Sequence, residues 1–148
     1  MPSSICDSRF AIYHPPPENM KRQLTITSEP ISEAELLAKR NMSVGTGAVV
    51  CFLGVVRGTE ESKIINAMDY EAFQPMAEHQ FNRLFDQMEK LWPIESVRLI
   101  HRIGIVKVND PSLWVEVIAP HRGEAFAASQ WLIDQMKSLV PIWKKPVL

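Results

Sequence analysis

The residues best suited to chemistry gather toward the C-terminal end of the chain. Ala119-Pro120-His121-Arg122-Gly123 opens a segment with helical spacing, Lys137 falls near its end, and Trp143-Lys144-Lys145 follows Pro141. A helix start offers free backbone N–H groups and partial positive charge, which suit phosphate. His121 and Arg122 would add donors there, and Gly123 would permit a close backbone approach. The plain alternative is a surface turn with solvated charges. At about 100° per residue, Lys137 shares a face with Phe126, Ile133 and Val140, beside the apolar row Ala125, Ala128, Leu132, Met136 and Leu139. A desolvated lysine loses its proton more readily and becomes a usable nucleophile or proton carrier. The blander reading, which the residues alone favour, lays the lysine stem over apolar surface with its ammonium in water.

Two further cations belong to this set. Arg57 ends an apolar run, and a guanidinium grips phosphate or carboxylate in a bidentate manner; it could instead pair with Glu60 or Glu61. Lys144 and Lys145 lie on an extended segment whose side chains alternate, so one can turn toward Lys137 while the other meets water. Arg57, His121, Arg122, Lys137 and Lys144 are thus the candidates for a basic pocket in a chain whose 16 Lys and Arg are offset by 17 Asp and Glu. The neutral total conceals a basic C-terminal segment, yet it argues against a general nucleic-acid binder.

Other chemistries find no support in the residues. The four histidines lack metal-ligand spacing, and two cysteines, Cys6 and Cys51, make neither a disulfide framework nor a zinc site. Cys51 sits in an apolar run and is expected in the core. No metal or cofactor is called for: dinucleotide and Walker loops are absent, and neither a hydrolytic nucleophile nor a carboxylate pair stands out. The longest apolar stretch, about residues 47–56, is too short to span a membrane. The N-terminus shows no secretory pattern, so the expected location is the cytoplasm.

The elements that must position these residues are mixed. Residues 1–20, with Pro15-Pro16-Pro17, suggest a flexible tail ahead of a single domain at 21–148. Leu24 and Ile26 suggest a strand. Ser32-Glu33-Ala34-Glu35 is a capping box, with Ile31 as its staple, opening a short helix to about Arg40. Residues 48–56 are apolar on both alternating faces, which predicts a strand covered on both sides. After a polar loop, residues 64–73 should return antiparallel to it. A helix from Pro75 to about Leu91 is stopped by Pro93. Strands follow near 96–102, 105–108 and 112–118, then a helix over about 123–140. His101 and Arg102 are expected as structural partners. The mixture, with several hairpin-length links, indicates an α+β domain.

At these same residues the chain resembles the MoaE family, the large, catalytic subunits of molybdopterin synthase. The matching strings are Phe52-Leu53-Gly54-Val55-Val56-Arg57, Tyr70-Glu71-Ala72-Phe73 with Pro75-Met76-Ala77-Glu78, and Trp92-Pro93 leading to His101-Arg102-Ile103-Gly104. His121-Arg122 leads on to Ala125-Phe126, then Lys137 with Val140-Pro141-Ile142-Trp143-Lys144-Lys145. The resemblance spans roughly residues 21–145, and the order and spacing of the strings make it specific. It implies an α+β fold of the α/β-hammerhead type with an additional antiparallel β-sheet. It also implies a homodimer within a heterotetramer, in which each small ubiquitin-like sulfur-carrier subunit inserts a C-terminal Gly-Gly tail bearing a thiocarboxylate. Sulfur would pass from that tail to cyclic pyranopterin monophosphate, forming the molybdopterin dithiolene. Lys137 and Lys144 match the family's catalytic lysines, while Arg57, His121 and Arg122 would bind the substrate phosphate. Phe52, Phe126, Ile133 and Ile142 are the expected walls of a groove for the tail, although all four could simply be core. The family usually continues past the Trp-Lys-Lys element, where this chain stops at Leu148. The alternative from another class is a noncatalytic module that docks a ubiquitin-like partner or a pterin phosphate.

Overall fold

The computed structural model describes residues 19–148; the expected flexible tail lies outside these, apart from its last two residues. Strand β1 (Lys21–Thr27), helix α1 (Glu33–Ala38) and strand β2 (Ala48–Val55) come first. A small ribbon, β3 (Thr59–Glu60) and β4 (Lys63–Ile64), precedes β5 (Ala67–Ala72) and helix α2 (Gln74–Leu91). Then follow β6 (Ser96–Arg102), β7 (Gly104–Lys107), β8 (Pro111–Ala119), helix α3 (Arg122–Leu139) and β9 (Ile142–Val147).

The larger sheet has strand order β1-β6-β8-β2, with β1 parallel to β6 and the other pairs antiparallel. Helices α2 and α3 cover one of its faces. Residues of period two on the strands, Val97 and Leu99 on β6 and Leu113, Val115, Val117 and Ala119 on β8, meet Phe81, Leu84, Phe85 and Met88 of α2. The same core takes Ala125, Ala128, Leu132 and Met136 of α3, one helical stripe. A second, antiparallel sheet, β7-β5-β9, packs Met68 and Val106 with Val56 and Ile65 in its own small core. The α+β class with an added antiparallel sheet therefore holds.

The opposite face of the large sheet carries a buried ion cluster. Glu116 on β8 is fully buried, and both its oxygens accept from arginine: Oε1 from Arg98 Nε at 2.7 Å, Oε2 from Arg98 Nη2 at 2.8 Å and Arg40 Nε at 2.7 Å. Arg98 also stacks over Trp114, 4.9 Å from its ring centre, and donates to the Leu36 carbonyl. Leu36 of α1, Ile100 and Trp114 close that side. Ser32 caps α1 as its sequence indicates, accepting from the Glu35 N–H.

Three expectations need correction. Strand β2 is not covered on both faces: among the described residues it forms the edge of the sheet and pairs only with β8. Ala48 and Val50 meet the core, but Phe52, Leu53 and Val55 are exposed. Cys51 is likewise exposed, not core, with its Sγ 3.0 Å from Arg40 Nη2. Finally, the strand after the polar loop does not return along β2. Residues 59–64 form the β3–β4 ribbon, and β5 joins the other sheet, between β7 and β9. A run apolar on both faces reveals that cover is needed, not which element supplies it.

Candidate functional site

Helix α3 decides where the basic residues lie. It starts where Gly47 N–H binds the Ala119 carbonyl, and a β-carbon at Gly47 would overlap the Pro120 oxygen, so only glycine admits this close approach. His121 is the N-cap and Arg122 the first helical residue, both exposed. His121 makes no capping bond; its Nδ1 lies 3.8 Å from Glu124 Oε2. Gly123 has open space where a side chain would stand.

Lys137 lies in the last turn, next in sequence to the buried Met136 yet itself exposed. Fifteen residues at 1.5 Å each put it about 22 Å from Arg122. One chain therefore does not bring His121 and Arg122 to the same phosphate as Lys137.

What gathers instead is a cluster at the other end of α3. Val140 caps the helix, Pro141 turns the chain, and β9 begins at once, so Lys144 follows Lys137 around a tight corner. Lys144 stands opposite Tyr70 and Lys145 opposite Asp69, so the two lysines occupy opposite faces of the small sheet. On the Tyr70 face, Lys144 Nζ lies 3.2 Å from Glu60 Oε1. Arg57 Nη2 approaches Glu60 Oε2 at 3.9 Å. Arg57 and Lys144, 87 positions apart, thus meet at one carboxylate. Nearby, Tyr70 touches the buried His101 ring edge-on and its hydroxyl lies 3.4 Å from Ser112 Oγ. His101 Nδ1 contacts the Arg102 carbonyl, and burial, only partly offset by that contact, holds the imidazole below its ordinary pKa. The ring is buried rather than open to solvent.

The four wall residues divide in the same way. Phe126 is exposed near the start of α3, and Phe52 lies half out on the open strand β2. Ile133 and Ile142 pack partly against the main core at the Lys137 end. The link between Lys144 and Glu60 had no sequence signal, because it joins the ribbon to a strand of another sheet. Among the described residues, no cluster of His, Cys, Asp and Glu is arranged to hold a metal, and no helix is long and apolar enough to cross a membrane.

Comparison with known proteins gives this arrangement a family. The MoaE protein model matches residues 26–139, a span that contains Arg57, His121, Arg122 and Lys137. The chain is 37% identical over 126 residues to the molybdopterin synthase catalytic subunit of Staphylococcus carnosus, covering 85% of this chain and 83% of that one. It is 34% identical over 130 residues to the bovine (Bos taurus) catalytic subunit, covering 88% and 68%. The crystal structure of molybdopterin synthase from Staphylococcus aureus superposes with a TM-score of 0.77 at 34% identity, covering 87% and 93%. Matches of this extent, running through both ends of α3 and the turn at Arg57, establish that the chain belongs to the MoaE family.

Proposed function

We propose that this chain is the catalytic subunit of a molybdopterin synthase. It transfers sulfur from the thiocarboxylated C-terminus of a small ubiquitin-like subunit to cyclic pyranopterin monophosphate, making the dithiolene of molybdopterin. The observation that carries the reading is the α3–β9 corner of a MoaE-family chain, where Lys137 lies in the last turn of α3 and Lys144, on the strand that follows, meets Arg57 at Glu60. The sulfur nucleophile arrives on the partner's tail, which accounts for a basic site built without a cysteine or serine nucleophile. Lys137 assists sulfur attack by contacting the thiocarboxylate or moving a proton. Lys144 and Arg57 hold the phosphate and stabilise the departing oxygen. Ile133 and Ile142 border the groove for the tail at this corner.

His121 and Arg122 stand a helix length away, so they serve the same substrate only if a second copy brings them. The open edge of β2, with Leu53 and Val55 exposed, supports the homodimer that such an arrangement needs. Phe52 and Phe126 belong with that second region. The reaction is placed in the cytoplasm.

The test is reconstitution. The purified chain, the thiocarboxylated small subunit and cyclic pyranopterin monophosphate are combined and molybdopterin is measured. Product is expected from the intact chain, with a loss of at least a hundredfold in Lys137→Ala. Complex formation without product from the intact chain would instead identify a noncatalytic binding module. Full activity in Lys137→Ala would remove that lysine from the mechanism.

A further inference from the structure

We propose that Glu60 is a built-in competitor for the anion site: its carboxylate occupies Arg57 and Lys144 in the free chain and is displaced by the incoming anion. The inference rests on the reading of Arg57 and Lys144 as anion-binding residues and adds a residue that selects what may bind there.

The placement of Glu60 is specific. Its side chain is only 20% exposed, although the residues around it in the ribbon, Thr59, Glu61, Ser62, Lys63 and Ile64, are all exposed. Its two oxygens are shared out, Oε1 to Lys144 and Oε2 toward Arg57. A carboxylate between an ammonium and a guanidinium has the charge and hydrogen-bonding pattern of two phosphate oxygens. It therefore stands where a ligand anion would make its contacts.

The ribbon that carries it stands apart from the two main sheets. Among the described residues, β3 and β4 pair only with each other and extend neither of the main sheets. Their two-residue connection, Glu61-Ser62, has φ of 50° and 68°, a left-handed pair that usually falls to Asn and Gly. The neck is closed by the Ile65 N–H to Gly58 carbonyl bond, and Val56 and Ile65 on either side are buried in the small core. Beyond that neck, the ion pair with Lys144 is the one salt bridge joining the ribbon to β9 among the described residues. Releasing it together with the Arg57 contact frees the Glu60 carboxylate and leaves the buried Val56 and Ile65 in place. With Lys144 and Arg57 both largely exposed, their pairs with Glu60 are individually weak, so a doubly charged anion can displace the carboxylate.

Inorganic phosphate serves as the probe, with binding to the full chain followed by backbone amide shifts at fixed pH and ionic strength. Glu60→Gln preserves size and removes the charge. It is expected to bind phosphate roughly tenfold more tightly than the unmodified chain, with shifts centred on Arg57 and Lys144. Adding Lys144→Ala to Glu60→Gln should abolish the gain. Equal or weaker binding by a folded Glu60→Gln chain would overturn the competitor role while leaving the anion site in place. Absence of phosphate-dependent shifts at Arg57 and Lys144 in both forms would overturn the anion site, and the competitor role with it.

Discussion

Removing the Glu116 side chain should be among the most damaging single changes to this fold. The carboxylate is 1% exposed and accepts three charge-assisted hydrogen bonds, two from Arg98 and one from Arg40. Glu116→Ala leaves the guanidinium of Arg98, itself nearly buried, without its anion, and strands Arg40 as well. Breaking a buried ion pair on one side costs about 3–5 kcal/mol. Glu116→Gln keeps the volume and one carbonyl oxygen but aims an N–H group at arginine donors, for a cost of about 2–3 kcal/mol. At roughly 3 °C per kcal/mol for a domain of this size, the alanine variant should lose about 10 °C or more in Tm. Urea titration of both variants against the unmodified chain measures the differences directly. The sign with pH is also fixed. Burial alone would raise the Glu116 pKa, but the two arginines outweigh it and hold the carboxyl below its ordinary value of 4.5. The stabilisation is then complete above that value and disappears as pH falls through the lower folded one. The gap between the unmodified chain and Glu116→Gln should therefore narrow below pH 4.5. A loss under about 1 kcal/mol at neutral pH would refute the reasoning, because it would mean that water solvates the cluster.

Two more predictions concern packing and protonation. Gly47→Ala forces a β-carbon against the Pro120 carbonyl and should cost about 1–3 kcal/mol, whereas Gly123→Ala, placed in open space within a helix, should be neutral or slightly stabilising; thermal melts of the pair distinguish them. His101 should titrate below 6.5 by NMR, because burial disfavours its cation. Its contribution to stability is then whole above pH 6.5 and declines below it, as the unfolded chain takes up protons that the folded chain refuses.

How far the sequence announced this molecule depended on whether a signal was local. The two long helices could be read almost to the residue, because Phe81, Leu84, Phe85 and Met88, and Ala125, Ala128, Leu132 and Met136, repeat with helical spacing and Pro93 and Pro141 mark the stops. The β3–β4 ribbon escaped notice because Glu61-Ser62 has none of the Asn or Gly that usually betrays such a turn. The parallel pairing of β1 with β6, and the edge position of β2, follow from which segments meet in space, and composition does not encode that. The site divides along the same line. Its residue types were legible, as were the helix start and the corner after Pro141. The helix-length gap between Arg122 and Lys137 was implicit in their numbering, yet a shared basic character suggested one pocket. Glu60 was recognisable as a neighbour of Arg57, but nothing along the chain tied it to Lys144.

Strand β1 has a consequence for how the protein is made. Among the described residues its one partner in the sheet is β6, and the register sets Lys21 beside Ser96, 75 positions later. At about 5–20 residues per second, a ribosome needs roughly 4–15 s to deliver that partner after β1 has been synthesised. Helix α2 emerges earlier, and it carries Asp86 and Glu89, the groups that later bind Arg22 of β1. The nascent chain thus holds β1 without its β6 partner for several seconds, with helix α2 already made. Even so, β1–β6 is the first pairing of the large sheet that the growing chain can complete, because β8, which both β6 and β2 require, is made later.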